Sequence, residues 1–279
     1  MTNKKIKNGG ESPLLKGGIN MNANDMYFED FRFGNKKLSD FGGIIYNEDG
    51  WLISNGLTSA KTTTKLTNRD GELYLGASYN PRTITIPIFL QEDMDIDEFY
   101  AWLLDGEQEL EFEDSERKIK AILDNQLDIR SYYDGDYRGL STLNFIAYDP
   151  YWRATKDTYT TINSPSSSGE VNIKTKSNVL TYPIIKLTPT LANRIRFKIN
   201  DITVSLNITS DNVDKEITID CENEEIYDLR FNTEYNLFNI YSSNDYYEFP
   251  TLNPFVINKF TFLEGSVSKI VIQHNNRWI

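Results

Sequence analysis

The sequence predicts a mainly β protein of two domains, with one helix in the first domain and a sandwich of short strands in the second. Three observations carry this expectation. Short apolar or period-two runs recur between Gly, Asn, Asp and Pro turns along most of the chain. One stretch near residue 100 has helical spacing. The 279 residues are about twice the roughly 150 that serve as a prior for one domain.

The elements follow in order. Residues 1–24 hold Gly9-Gly10, Pro13 and Gly17-Gly18, with only Leu14, Leu15 and Ile19 to bury, and are expected to form a flexible arm. From Tyr27 the aromatics Phe28, Phe31 and Phe33 lead to a Gly-Asn turn, and Phe41, Ile44, Ile45 and Tyr46 lead to a second turn at Asn47-Glu48-Asp49-Gly50. The run Thr62-Thr63-Thr64-Lys65-Leu66-Thr67 ends at Asn68-Arg69-Asp70-Gly71, and Arg82-Thr83-Ile84-Thr85-Ile86 alternates at period two.

The helix is expected where Ile96, Phe99, Tyr100 and Leu103 fall at i, i+3, i+4 and i+7, with acids at its start and Gly106 past its end. Glu109-Leu110-Glu111-Phe112-Glu113 then alternates strictly, placing Leu110 and Phe112 inward and three carboxylates outward. Runs at 119–123 and 140–148 continue the strands, and 163–169, Asn-Ser-Pro-Ser-Ser-Ser-Gly, reads as a linker. Eight further short strands follow: 182–187, 195–199, 202–208, 216–220, 225–231, 236–241, 258–263 and 269–273.

Composition narrows the chemistry. With 39% hydrophobic and 25% charged residues the chain is of ordinary globular type. Its 29 basic and 41 acidic residues leave a net charge of −12, which repels phosphate backbones and argues against nucleic acid as a partner. The lone Cys221 closes no intramolecular disulfide and builds no structural zinc site, so a buried thiol in a reducing cytoplasm is expected. Gly, Glu and Pro follow Lys4, Lys5 and Lys7 where a secretory signal places its apolar core. The longest apolar run, 84–90, is of strand length and holds Pro87, so no membrane anchor is expected.

Candidate catalytic and binding groups are few. The single histidine, His274, stands five residues from the C-terminus between Gln273 and Asn275, and an exposed position on a terminal strand is expected. It supplies no natural base for a Ser or Cys nucleophile. Asp134 with Asp136, or the row Glu109, Glu111 and Glu113, offers the carboxylate pair of a glycosidase, but residues two apart on a strand point the same way and Asp-Gly-Asp is turn chemistry. As a calcium loop, the segment from Asp134 puts Arg138 at the fifth ligand and Phe145 at the twelfth, which disqualifies it. The paired glycines lack nucleotide-loop spacing. Tyr241, Tyr246, Tyr247 and Phe249 are a candidate sugar platform, set against their use as sandwich core or subunit interface. The expectation is no catalytic, cofactor or metal site.

With these residues in view, the chain resembles the distal tail protein (Dit) family of long-tailed, siphovirus-type bacteriophages of Gram-positive bacteria. The resemblance lies in Phe31-Arg32-Phe33-Gly34-Asn35 with Ser39-Asp40-Phe41-Gly42-Gly43-Ile44-Ile45, and in Arg82-Thr83-Ile84-Thr85-Ile86-Pro87. It continues through Trp102-Leu103, through Leu110, Phe112, Asp114 and Arg117, and through Phe145-Ile146-Ala147-Tyr148-Asp149-Pro150-Tyr151. In the second half it rests on Tyr182-Pro183-Ile184-Ile185-Lys186-Leu187, Ile217-Thr218-Ile219-Asp220 and Phe249-Pro250-Thr251-Leu252-Asn253-Pro254 with Asn258. Two departures are the long arm before Tyr27 and Phe255, where the family often has Gly after the Pro.

The chain is expected to divide into a flexible arm over 1–24, a domain over 25–160, a linker over 161–180 and a domain over 181–279, and the resemblance implies that the two domains are a ring-forming belt and a galectin-like β-sandwich. It implies a structural, non-enzymatic tail-tip or baseplate hub, a homo-hexamer made in the host cytoplasm and placed in the virion tail tip. Its implied partners are the tail tube protein, a tail-associated lysin or hub protein, the tape measure protein and receptor-binding proteins. The alternative is a carbohydrate-binding tail adhesin acting through the C-terminal domain.

Overall fold

The structure is a computed structural model that describes residues 30–45, 58–66, 70–91, 94–113, 115–125, 130–134, 137–165, 169–230, 233–241 and 248–279. The arm expected over 1–24, the pair Asp136 with the side chain of Asp134, and Tyr246 and Tyr247 lie outside the described residues.

The first domain supplies nine strands of a ten-stranded sheet, the tenth being Arg277–Trp278 at the C-terminus. Its main path runs Lys36–Lys37, Phe31–Phe33, Gln108–Phe112, Arg117–Leu123, Tyr137–Ala147, Arg82–Gln91 and Ile44–Ile45. Arg130–Asp134 pairs with Tyr137–Ala147, and Trp152–Ala154 with Arg117–Leu123. Alternation decides which side is buried: Ile84, Ile86 and Ile88 face inward along one strand, and Leu143, Phe145 and Ala147 along its neighbour. Flat, three inter-strand steps of about 4.8 Å would hold Phe31 roughly 14 Å from Phe145. Their rings lie 6.0 Å apart, and those of Phe33 and Phe145 5.0 Å. The sheet therefore curls on itself and packs its two halves face to face.

The helix Ile96–Leu103 fills the opening of that curl. Asp95 caps it by accepting from the Asp97 and Glu98 amides at 3.0 and 3.1 Å. Its buried stripe is Phe99, Trp102 and Leu103. Ile96 and Tyr100, expected in that stripe, are only half-buried because the helix is turned to bring Trp102 inward. The Trp102 ring stacks on Phe41 at 4.8 Å and on Phe31 at 5.9 Å, and its Nε1 donates to the Phe33 carbonyl at 2.7 Å. The buried indole thus loses no hydrogen bond. A Cβ at Gly43 would run into the Leu38 side chain, and Gly42 caps the short helix Leu38–Phe41 at φ +66°, so each glycine of the pair has its own structural reason.

The second domain is a sandwich. One sheet has the order Thr158–Asn163, Val267–His274, Ile184–Pro189, Ile217–Asp220, Glu225–Arg230 and Thr233–Asn236. The other has the order Glu170–Lys174, Ile257–Glu264, Arg194–Ile199 and Ile202–Asn207. Ile185, Leu187, Phe197, Ile219, Phe260 and Ile272 meet between them, all fully buried. Two of these strands bear on the expected linker over 161–180: Thr158–Asn163 begins before it and runs into its start, Glu170–Lys174 lies within it, and both pair along their length with strands of the sandwich. The segment 236–241, expected as a strand, turns instead through the short helix Phe238–Ile240, and the strand precedes it at Thr233–Asn236.

Leu103 tests the helix packing. Leu103→Ala removes a fully buried side chain and should cost about 2–5 kcal/mol, read as a lowered melting temperature. An unchanged melting temperature would mean that the stripe is misplaced.

Candidate assembly site

The chemical candidates among the described residues are taken up by core packing or by surface ion pairs. His274 is buried, at 2% exposure, and the expected exposed terminal position is corrected. Val267, Ile270, Ile272 and His274 form the inward row of a strand that lies between two others, so the histidine ends a core row. Neither ring nitrogen makes a well-aligned hydrogen bond. Cys221 is buried beside the core, and burial pushes its thiol well above the ordinary range. Glu109 pairs with Lys118 at 2.8 Å, Glu113 with Lys37 at 3.1 Å and Glu111 with Arg32, on the outer face. Tyr241 and Phe249 are buried, with rings 5.5 Å apart, and are sandwich core. Burial pushes the Tyr241 phenol up to about 12. No cluster of three or more His, Cys, Asp or Glu able to hold a metal ion occurs among the described residues.

What the fold does bring together is a cluster of charges and rings at the junction of the domains. The C-terminal Arg277–Trp278 leaves the second domain and adds a strand to Trp152–Ala154 of the first sheet, pairing Trp278 with Trp152 and Arg277 with Arg153. The Arg277 guanidinium, 9% exposed, lies 4.5 Å from the Tyr151 ring and 5.4 Å from that of Tyr182. It also stands 3.5 Å from Asp149 and 3.9 Å from Glu222. Arg153 grips both Glu222 oxygens at 2.9 and 2.6 Å and Asp149 at 2.8 Å, which holds its guanidinium firmly charged. Arg117 stacks on Trp278 at 4.5 Å, and the Trp278 Nε1 donates to the Lys176 carbonyl at 3.0 Å.

The same cluster anchors the root of a hairpin. Among the described residues Ser59–Lys65 pairs with Glu72–Tyr79 alone, and apart from the half-buried Gly76 every residue of both strands is exposed. Leu73, Tyr74 and Leu75 stand about half-exposed on it. Asn80 closes its base on Thr58 through its amide at 2.9 Å and its side chain at 2.8 Å. Tyr79 packs edge-on against Tyr151 at 6.1 Å. Arg82, 1% exposed, donates to the Pro150 carbonyl at 2.9 Å and lies 5.9 Å from the Trp152 ring. Burial pulls its guanidinium below its usual value without neutralising it.

Arg277 and Arg153 were not singled out from the sequence, because strands of two and three residues have no periodicity to detect. The one available sign was Arg beside Trp at both 152–153 and 277–278.

Two measurements test these placements. Arg277→Ala should lower stability by about 2–3 kcal/mol through the lost cation–π contacts and charged hydrogen bonds. Arg277→Lys should restore only part of it, since an ammonium cannot stack between rings; full recovery would assign the loss to charge alone. For His274, burial lowers the imidazole from its ordinary value, against the Lys174 backbone and the Asp157 carboxylate, which raise it. The unfolded chain takes up a proton near pH 6.5 that the folded chain refuses until lower pH, so stability falls as pH drops through that window. Melting temperatures should decline less steeply between about pH 7 and about pH 5 in His274→Gln than in wild type. Identical slopes would show that the site exerts no such penalty.

No protein-family model matches the chain, and no curated protein matches it. Solved structures do. The crystal structure of SPP1 Dit, described as a paradigm of the hub adsorption apparatus in Gram-positive-infecting phages, matches with a TM-score of 0.68 at 14% identity, covering 91% of this chain and 100% of that one. The phage P2 baseplate in its activated conformation matches with Ca at a TM-score of 0.45 and 13% identity, covering 90% and 98% of the two chains. With Sr it matches at 0.46 and 12%, covering 89% and 98%. The curled first domain, its helix and the sandwich that follows are together the fold of SPP1 Dit.

Proposed function

We propose that the protein is a structural hub of a phage tail tip, whose first domain closes a hexameric ring that joins the tail tube to the host-recognition apparatus. The observation that carries this reading is the SPP1 Dit fold across both domains. The hairpin supports it. A two-stranded ribbon with solvent on both faces is marginal alone, and this one holds Leu73, Tyr74 and Leu75 in the open, as a contact to a neighbouring subunit requires. The tail tube protein, a tail-associated lysin or hub protein, the tape measure protein and receptor-binding proteins are the partners such a hub would meet.

The reading includes no catalytic step. His274 and Cys221 are buried in the second domain, and the glutamate row is engaged with Arg and Lys. The adhesin alternative loses Tyr241 and Phe249, half of its aromatic platform, to the core.

Native mass measurement and averaged particle images of the full chain test the ring, with six copies expected. A chain that stays monomeric at high micromolar concentration, both alone and with the tail tube protein, overturns it. Replacing Leu73, Tyr74 and Leu75 by Ser should weaken ring formation by about tenfold or more and leave the subunit's melting temperature unchanged. A ring that forms as in wild type would remove the hairpin from the interface.

A further inference from the structure

Phe255 is the most exposed large apolar side chain among the described residues, at 81%, and its backbone disfavours it. Its φ is +61°, the left-handed region in which a bulky side chain is strained. The turn that holds it is tightly built. The fully buried Asn258 side chain accepts from the Asn253 amide at 2.7 Å and from Asn200 Nδ2 at 2.8 Å. It donates to the Asn253 and Val256 carbonyls at 3.1 and 3.4 Å. Val256 and Ile257, each more than half exposed, extend the apolar tip. Glycine at 255 would relieve both strain and exposure, so the sequence accepts two costs to present a ring on a fixed turn. Such a residue is an anchor whose ordering cost is met before binding.

The position and charge of the tip indicate what it meets. Ile257 pairs with Lys174, Lys259 stands two residues further along the same outward row, and Lys198 sits opposite Thr261, further from the tip. Among the described residues Glu170 stands 3.5 Å from Lys259 and Asp201 3.5 Å from Lys198, and Lys174 is the lysine nearest the tip. Lys174 leads directly into 175–177, where Thr175 and Ser177 bond to Asn276 and Arg277 of the C-terminal strand. The tip is therefore at the end of the sandwich nearest the first domain. Residues 25–160 hold 14 basic and 26 acidic side chains, a net −12, whereas 161–279 hold 11 and 14, a net −3. An apolar tip flanked by Lys174 is complementary to the acidic domain of another subunit.

We infer that Phe255, Val256 and Ile257 form a knob that seats on the first domain of a second copy of this chain, adding a contact between sandwich and ring. The inference rests on the ring reading above. Two variants of the full chain test it. Phe255→Gly removes the ring and the backbone conflict together, so the subunit's melting temperature should hold or rise while the concentration needed for ring formation rises by about tenfold. Lys174→Glu, which leaves the turn intact, should act in the same direction.

If wild type forms rings and Phe255→Gly forms them equally well, the knob is overturned and the ring reading stands. If wild type stays monomeric even with the tail tube protein, both fall. If assembly is unchanged while binding to host cell-wall fragments is lost, the tip serves a sugar and a second copy is not its occupant.

Discussion

The arrangement of the two domains depends on one nearly desolvated cation. Arg277 is tolerated at 9% exposure because rings and carboxylates from both domains replace its water: Tyr151 and Asp149 from the first, Tyr182 and Glu222 from the second. Two backbone pairs between Trp152–Ala154 and Arg277–Trp278 are too few to fix an orientation alone. The guanidinium supplies what the short strand lacks, and its low exposure strengthens each attraction relative to water. Since Asp149 also binds Arg153, and Arg153 also binds Glu222, removing any member leaves another charge poorly paired. The hairpin root shares this cluster through Tyr79 and Arg82, so one set of contacts positions both the sandwich and the exposed ribbon.

Within the first domain the corresponding constraint is Trp102. A ten-stranded sheet exposes an apolar face until it curls, and the curl needs bulk to close upon. Phe31, Phe33, Phe41 and Phe99 all pack on the indole, and its one polar atom reaches the Phe33 carbonyl, so the largest side chain of the core leaves no unpaired donor.

How much of this was legible in the sequence follows from where periodicity exists. The helix could be read because Asp95, Asp97 and Glu98 start it and Phe99 and Leu103 are four apart. Its orientation was less legible, since Tyr100 and Trp102 compete for the same stripe and only packing chooses between them. Ile84, Ile86, Leu110 and Phe112 alternate and were read correctly. Thr158–Asn163, astride the expected boundary at 160, and Glu170–Lys174, within the expected linker, gave no strand signal because both are edge strands, largely exposed on both faces and rich in Thr, Asn and Lys. His274 was misplaced for a related reason. Its nearness to the chain end suggested an edge, but Thr158–Asn163 covers that side and puts the strand inside the sheet.

The outer face of the first domain explains why the exposed apolar residues stand out. Arg32 with Glu111, Lys37 with Glu113, Lys118 with Glu109 and Lys36 with Glu98 cover that face with exposed pairs. Each contributes at most about 1 kcal/mol to stability, so such a lattice acts mainly to keep the face solvated. On a chain of net charge −12, copies repel at a distance, and contacts between them must be made at short range by groups that water does not satisfy. Leu73, Tyr74 and Leu75 on the ribbon and Phe255 with its neighbours are such groups. They stand on elements anchored at the junction or fixed by a buried amide, so their exposure is held in place by the fold itself.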